Sequence, residues 1–172
     1  MKWILTSKQH DAVHVFHLME ANSIKEILRY HPAQQSARIS SQGSQRLFFI
    51  EQTGFRSNHF VFKNEYGFDM GKFSFDHRNN SGGIIEIEGR KIHYALLNNP
   101  QPELVIYQEN GLRPMVTCNL KQAGNSNDAA TLNQKETIHE YACLLLGLCW
   151  YLFKPVNNEV GVDAYDTSLA LA

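Results

Sequence analysis

The segment that decides the fold is residues 137–153, which read TIHEYACLLLGLCWYLF. From Tyr141 to Phe153 it contains no charged side chain, and its apolar residues leave no polar face on a helix. The run is too short for a membrane-spanning helix, which requires about 20 apolar residues. A helix that is apolar all the way round must be enclosed on every side. The segment therefore predicts a helix buried inside a folded domain.

The flanking residues predict where this helix begins and ends. Asn133 and Glu136 have the spacing of a capping box, and Pro155 cannot continue a helix. We therefore expect a central helix over about residues 134–153. Gly147 in its middle costs about 1 kcal/mol relative to Ala, so we expect another element, such as a strand, to approach closely there. The side chains expected to form the core of the helix are Tyr141, Leu144, Leu145, Leu148, Trp150 and Leu152.

The chain before the helix is patterned as β-strands. Between about residues 3 and 120, short segments of alternating apolar residues are separated by turn residues. In the clearest hairpin, Gly83–Glu88 pairs with Lys91–Leu97, so that two inward pairs of apolar side chains face each other. These side chains are Ile85 and Ile87, opposite Ile92 and Tyr94.

These patterns predict a mainly β fold in which an antiparallel β-barrel of about 10–12 strands encloses the hydrophobic C-terminal helix. We expect a single domain over residues 1–172, with a polar loop at residues 121–133 and a tail without strong pattern at residues 155–172.

The segment FDMGKFSF, residues 68–75, departs from simple alternation. In strict alternation Phe68 and Met70 face one side of a strand, and Phe73 and Phe75 face the other. A bulge at Gly71 would shift the phase and bring all four side chains to the core side.

Composition excludes some classes of function. The chain has 16 Lys and Arg against 17 Asp and Glu, so no basic field for nucleic acid is expected. The amino terminus, Met1 to Lys8, lacks the pattern of a signal peptide, and the expected location is the cytoplasm. Cys118, Cys143 and Cys149 are expected to be reduced thiols in the core.

The sequence gives little evidence for catalytic or metal-binding groups. His14 and His17 lie three residues apart in a predicted strand and point to opposite faces, so with His10 they do not predict a metal site. No nucleophile elbow or phosphate-binding loop is present. We therefore expect a non-catalytic protein without metal or cofactor. A pocket in which a histidine contacts a carboxylate would instead favour an enzyme.

The order of elements resembles the tubby C-terminal-like fold of tubby proteins, plant LURP-one-related proteins and phospholipid scramblases. The matching stretches are NEYGFDMGK, residues 64–72, a strand–turn–strand pattern ending in Gly-Lys, and the helix Ile138 to Phe153. The resemblance implies a barrel with a central helix over Trp3 to about Phe153. The basic cluster with which tubby proteins bind phosphoinositide head groups has no residue-by-residue match in this chain. The scramblases' palmitoylation segment and calcium loop are also missing, which argues against lipid translocation.

Basic residues of the central strands predict a binding surface. They could converge on one rim and accept an anionic group such as a phospholipid head group. The predicted function is therefore a non-catalytic binding module for an anionic ligand. Two alternatives remain: solubilising surface charges without a partner, and a protein-interaction scaffold without lipid affinity. The residues of the predicted rim are Lys63, Lys72, Arg78, Arg90 and Lys91.

Overall fold

The computed structural model describes residues 1–8, 13–53, 59–74, 82–87, 89–98, 102–108, 113–121 and 134–153. Within these ranges the chain forms eleven strands, one short 3-10 helix at Pro32–Gln34 and one α-helix. The strands are β1 (Lys2–Lys8), β2 (His14–Glu20), β3 (Ser23–His31), β4 (Ser36–Ser41), β5 (Ser44–Thr53), β6 (His59–Lys63), β7 (Asp69–Ser74), β8 (Gly82–Ile87), β9 (Arg90–Asn98), β10 (Pro102–Tyr107) and β11 (Pro114–Lys121), and the helix is α1 (Gln134–Phe153).

The strands form one closed barrel. Each strand pairs antiparallel with the next one along the chain, and β1 closes the barrel by pairing with β11. This closing pair is parallel, with Trp3 opposite Leu120. An up-and-down array with an odd number of strands has its first and last strands running in the same direction, so its closure must be parallel. The predicted mainly β barrel around a C-terminal helix is confirmed, and the parallel pair is an addition to it.

The predicted hairpin of β8 and β9 is confirmed, except that Ile87 lies opposite Arg90 and not opposite an apolar residue of β9. Ile85 lies directly opposite Ile92, and Tyr94 lies opposite Gly83. All four predicted inward side chains are buried. The Tyr94 hydroxyl donates a hydrogen bond of 2.8 Å to the backbone carbonyl of Ser74 in β7. Gly83 lacks a side chain at the point where the tyrosine ring crosses β8, which leaves room for this bond.

Strand β7 contains the predicted irregularity, with a different result for Phe68. Phe62 pairs with Gly71 and Lys63 pairs with Asp69, so Met70 is an extra residue in the strand. Met70 packs against the core. Phe68 is exposed, so the prediction that its side chain points into the core is wrong.

The cause of this difference is a turn that precedes β7. The Asn64 side-chain oxygen accepts hydrogen bonds of 3.0 Å from the backbone amides of Tyr66 and Phe68. This Asx-type turn holds Phe68 outside the strand. Phe75 lies outside the described residues.

The helix lies inside the barrel. Residues 142–150 are all buried, and nine consecutive residues cover more than two turns at 3.6 residues per turn. Every side of α1 is therefore enclosed, as predicted, and its bounds are the predicted ones. Of the predicted core side chains, Tyr141 and Leu152 are half-buried and pack against the core. The fully buried ones are Leu144, Leu145, Leu148 and Trp150.

At Gly147 the barrel wall approaches the helix closely. A Cβ atom there would lie 2.8 Å from Oε1 of Glu26, 3.0 Å from Cδ1 of Leu28 and 3.2 Å from Cζ2 of Trp3. The expected close approach is confirmed, and it is made by side chains of β1 and β3. Any residue larger than glycine would push these buried side chains away from the helix.

The two ends of the barrel differ. At the helix-start end, Glu140 of α1 contacts His14, the first residue of β2. At the helix-stop end, Phe153 contacts Arg90, the first residue of β9. The hairpin turns β2–β3, β4–β5, β6–β7 and β8–β9 lie at the helix-stop end, with the β10–β11 connection. Asn133 and Pro155, the predicted end signals, lie outside the described residues. No helix within the described residues combines the length and the apolar character needed to cross a membrane.

We expect Leu148→Asp to prevent folding, because it places a charge where every side of the helix is enclosed. Ile84→Asp is the control, since Ile84 is 42% exposed on the outer wall of β8. Circular dichroism and thermal melting should show a folded Ile84→Asp protein and no cooperative transition for Leu148→Asp. A Leu148→Asp protein that melts at the wild-type temperature would contradict the enclosed helix.

Candidate functional site

Two of the cations in the predicted basic rim lie close to carboxylates. Nζ of Lys63 lies 2.6 Å from Oε2 of Glu51, and a hydrogen bond to this carboxylate raises the pKa of Lys63. Nζ of Lys72 lies 3.6 Å from Oε2 of Glu86. Arg78 lies outside the described residues. Of the predicted set, the structure brings only Arg90 and Lys91 together in one concave site, among the residues it describes.

This site is a groove of about 740 Å³ at the helix-stop end. It lies where β9, β10 and β11 meet the last residue of α1. The three strands are neighbours in the sheet, and the helix enclosed by the barrel adds Phe153 to them. The described side chains that line it are Arg90, Lys91, Ile92, Tyr107, Gln108, Met115 and Phe153.

Arg90 is positioned by the alternation of β9. Ile92 and Tyr94 point into the barrel and are buried, so Arg90 at the start of the same face lies at the mouth. Its guanidinium carbon is 5.9 Å from the centre of the Phe153 ring, within the range of a cation–π contact. The ring thereby holds the guanidinium at the edge of the groove.

A second arginine lies over another aromatic ring of α1. The guanidinium carbon of Arg46 in β5 is 5.7 Å from the centre of the Trp150 ring. The last carbonyl groups of a helix carry partial negative charge, which cations stabilise. Two guanidinium groups thus contact aromatic side chains in the last turn of α1.

The groove has two kinds of wall. Arg90 and Lys91 supply positive charge, while Phe153 and Met115 supply apolar surface. Guanidinium and ammonium groups bind phosphate and carboxylate, and the apolar wall suits hydrocarbon. The arrangement fits a ligand that carries both.

A buried contact between a histidine and a carboxylate lies at the opposite end. Nδ1 of His14 is 2.6 Å from Oε1 of Glu140, and the side chains are only 6% and 13% exposed. The His14 ring also packs edge-to-face on Tyr30 at 6.0 Å. A histidine and a carboxylate do meet here, but they are enclosed between the wall and α1, where a substrate cannot reach them. The pair anchors the start of the helix in the barrel, since separating it would leave a buried charge alone.

The cysteines do not form a reactive site. Cys118, Cys143 and Cys149 are free and buried, which confirms the prediction of reduced core thiols. Burial raises the pKa of Cys118 to about 12 and raises that of Cys143 as well. A thiol with so high a pKa is almost wholly protonated at neutral pH and is a poor nucleophile or metal ligand.

Metal ligands do not gather in the part of the chain that the structure describes. His14 is buried and His17 is only partly so, on the opposite face of β2, as predicted. Among the described side chains, no group of three His, Cys, Asp or Glu could hold an ion. His10 lies outside the described residues.

His139, in α1, is the other buried histidine among the described residues. Its Nε2 atom is 3.4 Å from Oε1 of Gln52, and its ring packs edge-to-face on Phe60 at 5.1 Å. Burial lowers its pKa, because the charged imidazolium loses its hydration inside the barrel.

Comparison of the chain with models of protein families, with curated proteins and with solved structures found no significant match. The resemblance to the tubby C-terminal-like fold therefore stays a prediction. The candidate site is interpreted below from its own geometry.

We expect the folded protein to lose stability as the pH falls below 6.5, the ordinary pKa of His139. Below this pH, His139 binds a proton in the unfolded chain, whereas in the folded protein it stays neutral because its pKa is lower. The difference in proton binding favours unfolding. His139→Gln should reduce the loss of unfolding free energy between about pH 7.5 and about pH 5. The measurement is urea unfolding at each pH.

His59→Gln serves as the control for the loss of one histidine, because His59 is exposed. It should follow the wild-type curve. Parallel curves for wild type and His139→Gln would show that His139 does not contribute to acid sensitivity.

Proposed function

We propose that the protein binds a single anionic amphiphile, a molecule that joins a phosphate or carboxylate group to a hydrocarbon chain. The observation that carries this proposal is the groove at the helix-stop end, where Arg90 and Lys91 border apolar side chains. The head group contacts the two cations, and the chain lies along the apolar wall.

The cations fix the head group. The planar guanidinium of Arg90 can donate two parallel hydrogen bonds to one phosphate or carboxylate, and the ammonium of Lys91 adds a mobile positive charge. Arg90 is already held over Phe153, so less side-chain entropy is lost on binding. Lys91 lies across from Glu86 in the sheet, and that carboxylate also lies 3.6 Å from Nζ of Lys72 on the other side.

The apolar wall binds the chain. Each methylene group that leaves water contributes about 0.8 kcal/mol. The flexible side chain of Met115 can adjust to ligands of different shape. A volume of about 740 Å³ lies within the range of about 300–1,000 Å³ of small-molecule sites. Several methylene groups fit beside the head group in such a space.

The proposal is for binding and not for catalysis. The described side chains of the groove comprise two cations, an amide, a tyrosine and three apolar residues. This set includes neither a carboxylate nor an imidazole, the groups that most often act as general bases.

The test uses dodecyl phosphate as a monomer, below its critical micelle concentration, with isothermal titration calorimetry. We expect one molecule to bind per chain. Arg90→Gln with Lys91→Gln should weaken binding at least about tenfold, the change that a loss of about 1.4 kcal/mol produces. Uncharged analogues such as dodecanol should bind the wild type more weakly than dodecyl phosphate does. Their affinities for the wild type and for the variants should be the same.

The matched control is Lys63→Gln with Lys72→Gln. It removes the same charge from the same group of strands, but from cations that face Glu51 and Glu86. This variant should bind as the wild type does. The proposal fails if the wild type does not bind dodecyl phosphate, or if the control loses as much affinity as the groove variant.

A further inference from the structure

Exposed apolar side chains gather at one end of the barrel. Among the described residues, six large hydrophobic side chains are more than a third exposed, and four of them lie at the helix-stop end. These four are Ile24 (51%), Tyr66 (77%), Phe68 (68%) and Met115 (38%). The other two, Ile84 and Leu97, lie on the outer wall.

The four residues occupy three separate places on the rim. Ile24 follows the β2–β3 turn, Tyr66 and Phe68 lie in the β6–β7 turn, and Met115 lies at the start of β11. In the closed order of strands, these places are four, four and three strand positions apart. They are therefore spaced almost evenly around the rim, and we call them the three feet.

Each foot also carries a cation. Lys25 adjoins Ile24, Lys63 ends the strand before Tyr66 and Phe68, and Arg113 precedes Met115 by two residues. Carboxylates accompany two of these cations: Lys25 lies 4.0 Å from Glu20 and Lys63 lies 2.6 Å from Glu51. Charge alone therefore gives weak attraction, and the apolar side chains must supply the remainder.

We infer that the helix-stop end docks on the surface of a lipid bilayer, with the barrel axis close to the membrane normal. Ile24, Tyr66, Phe68 and Met115 enter the interfacial layer, and the cations of the feet lie at the level of anionic head groups. The inference goes beyond the proposed function, because turn residues carry it whether or not the groove binds an amphiphile.

The spacing of the feet favours a bilayer over a protein partner. A stable protein interface buries a continuous patch of about 800 Å² on each partner. Here the exposed β4–β5 turn, with Gln42 and Gly43 and no large apolar side chain, lies between the first and second feet. A flat, fluid surface can receive three separated side-chain groups without any complementary shape.

The chemistry of the feet matches the interfacial layer. Tyr and Phe combine apolar area with the position at which aromatic rings settle in membranes. Lys and Arg beside them extend to the head groups while their stems stay in the apolar layer. Each cation near an anionic surface contributes about 1 kcal/mol, which salt screens.

The test is co-sedimentation with vesicles of phosphatidylcholine alone and of phosphatidylcholine with phosphatidylserine. The feet variant is Ile24→Ser/Tyr66→Ser/Phe68→Ser, which leaves Met115 intact because that residue also lines the groove. The matched control is Ile84→Ser/Leu97→Ser, which removes exposed apolar side chains (42% and 41%) from the outer wall.

We expect the wild type and the control to bind the serine-containing vesicles, with weaker binding in high salt and to phosphatidylcholine alone. The feet variant should bind at least about tenfold more weakly. Three apolar side chains that enter the bilayer together contribute more than about 1.4 kcal/mol to binding, even when each is only partly covered. It should keep the wild-type melting temperature and the wild-type affinity for dodecyl phosphate. Arg90→Gln/Lys91→Gln should still sediment with vesicles.

Three results would overturn the inference. The wild type could fail to bind either kind of vesicle, or the control could lose as much binding as the feet variant. Gel filtration could instead show that the wild type self-associates and that the feet variant does not, in which case the feet contact another copy of the chain. Each result leaves the dodecyl phosphate titration unchanged, so failure of the feet and failure of the groove are separable.

Discussion

The structure depends on the need to enclose a helix that has no polar face. Nine consecutive residues of α1, 142–150, are shielded from water, and a flat sheet could cover only one side of them. Closing the sheet on itself covers every side and also leaves no unpaired strand edge. The interior is then filled by the helix and by inward side chains, with Gly147 allowing Glu26, Leu28 and Trp3 to approach. Most polar side chains therefore lie at the two ends and on the outer wall, and the buried carboxylate of Glu26 beside the helix is an exception.

The ends of the barrel have different chemistry because the helix has direction. At the helix-start end, His14 and Glu140 are buried together and inaccessible. At the helix-stop end, Arg46 and Arg90 lie over Trp150 and Phe153, where helix carbonyl groups favour positive charge. The groove and the exposed turn residues share this second end. A ligand or a surface that meets the protein there meets cations and apolar groups together.

Much of the fold follows from local patterns, since the apolar run fixes α1 and alternation fixes the strands. Phe68 departs from the pattern because the side chain of Asn64 hydrogen-bonds the turn before β7, an effect that periodicity cannot register. The contact of His14 with Glu140 joins residues far apart in the chain, and only closure brings them together. The sequence likewise predicted that Arg90 and Lys91 belong to a basic rim. It did not predict that Phe153 and Met115 are their apolar neighbours.

The parallel pairing of β1 with β11 has a consequence for how the chain reaches its folded state. Trp3 pairs with Leu120, so the contact between β1 and β11 cannot form until all the strands have been synthesised. Contacts between residues so distant in sequence are slow to form, because a long loop must be closed first. Until then, β1 exposes an unpaired edge that can pair with another chain. The apolar helix follows β11 in the sequence, so it is synthesised while the edge of β1 is still exposed, and both are covered only when the barrel closes.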